Sequence, residues 1–255
     1  MKIVIIGSGH VATVLARRMA LYGHELIEVN SRNAAHAKML ADELGCNYSS
    51  GWESVNDQGD FYLLSITDSA LSKIGGKLNL KNKLVAHTAG SVGMDILNQV
   101  SSKFGVLYPL QSLRKEIKDP PQIPLLINGN TPEVLTVMLD FAKTISDQVQ
   151  IMSDESRSKI HLASVIVNNF SNHLFALAEE YCNHEKLDFG LLFPLMQETA
   201  KRATLFSASD IQTGPAVRQD AGTIEKQLGM LMNYPGLRKI YELFTSSIQS
   251  AKTGL

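Results

Sequence analysis

Three groups of residues have the types and spacing to do chemistry. The first is Gly7-Ser8-Gly9-His10-Val11-Ala12, a G-x-G-x-x-A run directly after the β-branched stretch Ile3-Val4-Ile5-Ile6. Glycines at this spacing let the chain turn tightly and bring backbone N–H groups up to a pyrophosphate at a helix start. Ala12 lets that helix lie close to its strand. The second group is a set of polar residues that end apolar runs: Asn30-Ser31-Arg32, Ser65-Ile66-Thr67, His87-Thr88 and Tyr108-Pro109-Leu110-Gln111. The third is His161, Ser164, Asn168 and Ser171, which recur at intervals of three, four and three and so share one helix face. His161 and His87 are the candidates for moving a proton near neutral pH, and Asn168 is the hydrogen-bonding group that shares the His161 stripe.

These residues need elements to hold them. The pattern predicts a strand over 1–6, a helix through Val14, Leu15 and Met19, and a strand over 25–29. A helix over 33–44 closes at Gly45, and a short strand over 46–49 follows. The run 60–66 is apolar almost throughout, as for a strand buried on both faces. A helix from about 69 to 78, a strand over 83–87, a helix over 94–100 and a strand over 104–107 come next. The polar stretch 114–124 holds three prolines and is expected as a surface loop; strand 123–127, helix 132–144 and strand 148–151 complete the alternation. Strands alternating with helices predict a doubly wound, mainly parallel sheet of Rossmann type, with binding residues at the carboxyl ends of its strands.

From about residue 153 no strand is expected. Ser153-Asp154-Glu155 supplies a cap and first-turn acids for a helix running to about 183. Ile160, Val167, Leu174, Leu177 and Tyr181 fall on its apolar side, and helices over 194–205, 220–232 and 235–251 follow. The α/β class thus divides into a Rossmann domain, 1–153, and an all-helical domain, 154–255. The stripe from His161 to Ser171 either lines the cleft between them, where it would meet substrate and nicotinamide, or is a solvated face or a helix-to-helix hydrogen-bond seam.

Composition narrows the partners. Lys+Arg 24 against Asp+Glu 25 leaves a net charge of −1, which excludes a nucleic-acid binder driven by phosphate neutralisation. No apolar run approaches the length of a membrane span. Cys46 and Cys182 stand far apart in no metal-like spacing, as expected of reduced thiols in a cytoplasmic protein. A small-molecule substrate is the partner that remains, with no nucleic acid, membrane or metal.

The end of the second strand selects the cofactor. A site for NAD places an acid there to accept from the ribose hydroxyl. Here Asn30 does not repel a 2′-phosphate, Ser31 can donate to it, and Arg32 can pair with it or stack on adenine. NADP (NADPH) is therefore expected rather than NAD. Asp68 is expected as a helix cap, Tyr108 as a half-buried turn residue, and Asp220 as a cap, while Thr213 and Arg218 are able to face an anionic or carbonyl substrate.

Taken together, Gly7 to Ala12, Asn30-Ser31-Arg32, His87-Thr88-Ala89-Gly90, Tyr108-Pro109-Leu110-Gln111 and Thr213-Gly214-Pro215 with Arg218 and Asp220 resemble a two-domain family. It joins a Rossmann-like domain to a helical domain of unknown function (domain of unknown function 2520). It is similar to pyrroline-5-carboxylate reductases, β-hydroxyacid dehydrogenases and deazaflavin-dependent NADP reductases. The resemblance implies a helical domain like the C-terminal one of 6-phosphogluconate dehydrogenase, a homodimer through that domain and an active site between the domains. It also implies cofactor contacts at Gly7, Ser8, Gly9, His10, Val11, Asn30, Ser31 and Arg32, extended here to Ser65, Ile66, Thr67, His87 and Thr88. Two positions depart from the family pattern: Tyr108 stands where His would precede Pro-Leu-Gln, and Gln219 where Gly would precede Asp220. The lysine–asparagine pair of the β-hydroxyacid dehydrogenases is not matched by Lys159 and Asn168. The expected activity is hydride transfer between NADP and a small carbonyl, imine or hydroxy compound; the competing expectation is a non-catalytic NADP-responsive binding protein.

Overall fold

A computed structural model describes residues 1–117 and 122–253; residues 118–121 of the expected proline-rich loop lie outside the described residues. Two compact units are present, Met1–Asn169 and Phe170–Leu255. The change from strands to helices comes earlier, at residue 153, because the first turns of the long helix pack into the first unit.

The first unit opens with strand β1 (Lys2–Ile6), helix α1 (His10–Leu21), strand β2 (Glu25–Asn30), helix α2 (Ala34–Leu44) and the short strand β3 (Asn47–Ser49). Next come β4 (Phe61–Leu64), the single turn α3 (Asp68–Leu71), β5 (Leu84–His87), a 3₁₀ turn at Met94–Leu97 and β6 (Lys103–Pro109). Strand β7 (Leu125–Gly129), helix α4 (Pro132–Ile145), strand β8 (Val149–Ile151) and helix α5 (Asp154–Ser164) complete it. The sheet order is β3-β2-β1-β4-β5-β6-β7-β8. All pairs are parallel except β6 with β7, which are antiparallel. This is the doubly wound, mainly parallel Rossmann-type sheet.

Alternation along the strands divides the core between two faces. Ile3, Ile5, Phe61, Leu63 and Ala86 pack beneath α1, α2 and α4. Val4, Ile6, Tyr62, Leu64 and Val85 face the other way, onto Leu71, Ile74, Leu97 and Val100. That second layer holds less helix than its sequence pattern predicts. The chain leaves α3 after one turn, and Gly76 takes φ +73°, which stops a helix.

Strand order reverses between β1 and β4, and the carboxyl ends of such a pair form the crevice of a doubly wound sheet. Gly7 and Ser65 lie there, and α5 brings its own side chains to the ends of β5 and β6.

The long helix is not α-helical throughout. Val165–Phe170 is a π-helical segment, and α6 (Ser171–His184) follows. The wider turn displaces what comes after it, so the even spacing from His161 to Ser171 does not build one face. Beyond α6, the second unit contains α7 (Phe193–Leu205), α8 (Ala221–Met230) and α9 (Pro235–Thr253). Its apolar residues are mostly exposed: only Cys182, Ala216 and Leu231 are buried among those described.

Candidate functional site

The turn after β1 is built on contact. Gly7 has φ +122°, and a Cβ there would stand 2.1 Å from the Ser65 carbonyl oxygen, so any side chain would force β1 and β4 apart. Its N–H donates to the Asn30 carbonyl at 2.8 Å, which ties the same residue to the end of β2. Gly9 differs: a Cβ placed on it meets nothing within 4 Å. It is the N-cap of α1, with no side-chain hydrogen bond at the cap and no acid in the first turn. The first-turn N–H groups have no intrahelical partner, so this end of α1 offers an anion a positive dipole end and free donors. Val11 packs against the core and Ala12 is fully buried. The residues present fit a dinucleotide pyrophosphate.

The Ser8 and Ser31 hydroxyls lie 2.8 Å apart and join the glycine turn to the end of β2. Arg32 is exposed, and its guanidinium has no partner among the described residues. Asn30 is 3% exposed. Its amide nitrogen donates to Ser49 Oγ at 2.7 Å and to the Gly51 carbonyl at 2.9 Å, and Ser49 Oγ in turn donates to Glu28 at 2.9 Å. The Asn30 nitrogen is thus committed to the β2–β3 link, Ser31 Oγ is paired with Ser8, and Arg32 stays exposed beside them. His10 faces the loop after β6, where its Nδ1 accepts from the Lys115 N–H at 3.2 Å. A cavity of about 300 Å³ opens beside Ser8, between α1 and α2, with Arg17, His36 and Lys115 in its wall.

Across the crevice, Ser65 Oγ lies 3.2 Å from Thr88 Oγ1, and the Ile66 side chain is 3.5 Å from the Cβ position of Gly7. Thr67 caps α3, accepting from the Ala70 N–H at 3.3 Å.

His87 ends β5 and is fully buried. Its Nδ1 accepts from the Ala89 N–H at 3.1 Å, which puts the ring proton on Nε2. Nε2 has no hydrogen-bond partner among the described residues; the Gly93 carbonyl favours the charged ring without completing a bond. Burial, and then the charge of Arg157, push the ring down to about 4. His87 is therefore a neutral interior group, and its burial removes it as a proton donor in direct contact with a substrate.

His161 meets a partner that sequence spacing did not assign to it. Tyr108 Oη, at the end of β6, lies 2.8 Å from His161 Nδ1, with the rings edge to face. Burial raises the Tyr108 phenol; the Ser164 hydroxyl and the Arg157 charge offset part of that rise. Gly90 makes the pair possible, because a Cβ there would lie 2.5 Å from His161 Nδ1 and 3.0 Å from Tyr108 Cζ. Asn168, in the π-helical segment, is exposed and outside this cluster. Asp220 caps α8 as expected, accepting from the Thr223 N–H at 3.0 Å.

A glycine turn and an uncapped helix start at the switch point of a doubly wound sheet define a dinucleotide-binding protein. The sequence model of the family described as "NADP oxidoreductase coenzyme F420-dependent" matches residues 2–90, and that of a domain of unknown function (DUF2520) matches residues 123–248. The crystal structure of "putative NADP oxidoreductase BF3122 from Bacteroides fragilis" is 34% identical, covers 98% of each chain and has a TM-score of 0.92. The chain belongs to this family of NADP oxidoreductases, in which an NADP-binding domain precedes a DUF2520 domain. A pyrroline-5-carboxylate reductase from Streptococcus pyogenes is 15% identical, with 98% of each chain covered and a TM-score of 0.61. A reductive aminase from Aspergillus terreus, solved with NADPH and ethyl levulinate, is 16% identical over 99% of this chain and 94% of that chain, with a TM-score of 0.70. These two share the fold. A search of curated proteins found no match. Among the described residues, no helix is long and apolar enough to cross a membrane.

The buried His87 makes stability depend on pH. Above 6.5, its ordinary value, the ring is neutral folded and unfolded; below it the unfolded ring takes a proton that the buried ring refuses until about pH 4. Stability should therefore fall as pH drops through this window, by roughly 3 kcal/mol from this group. Urea denaturation across pH 4 to 7 measures it, and His87→Gln should flatten the slope. Parallel slopes for the two proteins would contradict the assignment.

Proposed function

We propose that the protein is an NADP-dependent oxidoreductase acting on a small carbonyl, imine or hydroxy compound, with the Tyr108–His161 pair as its proton source. The observation that carries this reading is the 2.8 Å contact between a phenol and an imidazole at the sheet edge that also holds the glycine turn. The two fold relatives named for imine and amine chemistry support the substrate class by analogy of fold.

When bound, the nicotinamide supplies or accepts the hydride. The chain does the rest. The start of α1 holds the pyrophosphate at Gly9, His10 and Val11, beside Gly7 and Ser8. Ser31 and Arg32 hold the 2′-phosphate and distinguish NADP from NAD. Ser65, Ile66 and Thr88 border the crevice and orient what lies between β1 and β4. In the reducing direction, Tyr108 Oη gives its proton to the substrate oxygen or nitrogen as negative charge develops there. A proton from Nδ1 of the imidazolium form of His161 restores the phenol, and the half-exposed imidazole, now neutral with its remaining proton on Nε2, recharges from solvent.

The second unit leaves Phe193, Leu195, Leu205, Phe206, Leu243 and Phe244 exposed, and exposed large apolar side chains mark an interaction surface where they adjoin. We read it as the interface of a homodimer. Both cysteines are free, which suits the reducing cytoplasm.

Three measurements test the reading. Replacing Arg32 with Ala should weaken NADPH binding by about tenfold or more and leave NADH nearly unchanged, since a charge-assisted pair contributes on the order of 1.5–3 kcal/mol; fluorescence titration reads both, and equal losses would reject the 2′-phosphate assignment. Tyr108→Phe should lower kcat by about 10²–10⁴ while NADPH still binds; wild-type turnover by this variant would remove the pair from the reaction. Light scattering should give twice the chain mass, and a monomer at micromolar concentration would reject the dimer.

A further inference from the structure

Arg157 is the largest fully buried side chain among the described residues, at 1% exposure. A buried guanidinium must be paired, and its partners here are unusual for an ion pair. Nη1 donates to Asp154 Oδ1 at 2.5 Å, three residues earlier on α5. Nε donates to the Gly90 carbonyl at 3.2 Å and Nη2 to the Val92 carbonyl. Asp154 Oδ2 accepts from the Met94 N–H at 2.7 Å. One Arg–Asp unit on α5 therefore grips the loop after β5 at three points, residues 90, 92 and 94.

The same loop is fastened at its other side to the end of β4. The Thr88 N–H donates to the Leu64 carbonyl at 3.2 Å, and Ser91 Oγ donates to Asp68 at 3.2 Å. Arg157 lies one helical turn before His161, so both project from one side of α5. The His161 ring sits directly over Gly90. Loop, helix and pair thus have little freedom to move independently.

We propose that Arg157, held by Asp154, is a positioning residue that sets the Tyr108–His161 pair at a fixed distance from the Ser65–Thr88 edge of the crevice. The inference rests on the reading of that pair as the proton source. A buried ion pair is a poor device for stability alone, because well-packed apolar residues serve as well. The guanidinium offers what they do not: several donors in fixed directions, aimed at two carbonyls and a carboxylate at once. A lysine, with one flexible ammonium, cannot reproduce that fork. The charge of Arg157 also bears on the groups facing it from neighbouring elements, Tyr108 on β6 and His87 on β5; it lowers both, with Asp154 and Asp68 acting oppositely on His87.

The test uses the whole chain and three variants. Arg157→Lys loosens the grip and keeps the charge. Asp154→Ala loosens it from the half-exposed side, for use if Arg157→Lys does not fold. Gly90→Ala pushes the His161 ring directly and supplies the signature of a displaced pair. Imidazole ¹⁵N spectra report the His161 Nδ1 hydrogen bond, with the resonance identified by its loss in His161→Gln. Arg157→Lys and Asp154→Ala should each move that resonance in the direction seen for Gly90→Ala. Each should also lower kcat by about 10²-fold, as a misplacement near 1 Å does, with KM less affected and NADPH affinity unchanged. An unmoved resonance in a folded variant would overturn the proposal, as would a moved resonance with wild-type kcat. If the wild-type protein turns over no carbonyl, imine or hydroxy compound, the proposed function falls, and the spectra still decide whether Arg157 positions the pair.

Discussion

The structure depends first on a contact that allows no side chain. Gly7 lies so close to the Ser65 carbonyl that a Cβ would overlap it, and its N–H holds the end of β2 at Asn30. One residue thereby fixes β1 against β2 on one side and β4 on the other, at the point where strand order reverses. The uncapped start of α1, the Ser8–Ser31 contact and the Ser65–Thr88 pair are all placed by it. Widening this point would move both walls of the crevice together, so glycine here is a requirement of packing as well as of backbone angle.

A second centre of order lies two strands away. Arg157 occupies a position where an apolar side chain would ordinarily sit, and its donors organise a loop rather than a hydrophobic layer. His87, beside it, stays neutral, with its Nε2 unpartnered among the described residues. The polar interior next to β5 is therefore rigid and costly to rearrange, which suits a region that must hold Tyr108 and His161 in register. The π-helical segment Val165–Phe170 begins immediately after this ordered stretch.

Much of this was legible in the sequence where the signal is local. The strand–glycine–helix–strand unit follows from Ile3 to Ile6, the G-x-G-x-x-A spacing and the apolar run from 25 to 29. The cap at Asp220 follows from one residue type in its place. Gln219 adds a backbone reason for the family pattern, because it adopts φ +56°, the region where glycine is at ease. What was hidden depends on chain segments far apart. Tyr108 looked like a turn residue because its partner is 53 positions away. Arg157 carries no signal in the sequence, because arginine is seldom buried and the carbonyls it meets have no sequence signature. The His161–Ser171 stripe assumed an unbroken 3.6-residue period, and the π-helical segment breaks it. Asn30 is legible as the polar end of β2, but the bond of its amide nitrogen to Ser49, on the neighbouring strand, is not.

The chain belongs to a family of NADP oxidoreductases, and the account turns on whether its two centres act on one reaction. Transfer of deuterium answers this most directly. NADPH labelled with deuterium at the nicotinamide C4 position would be incubated with the protein and a panel of small imines and carbonyls, and the products read by mass spectrometry. The account predicts a product one mass unit heavier, with the label lost from one face of C4. Tight binding of NADPH with no label in any product would contradict it and favour a protein that binds NADP without performing hydride transfer.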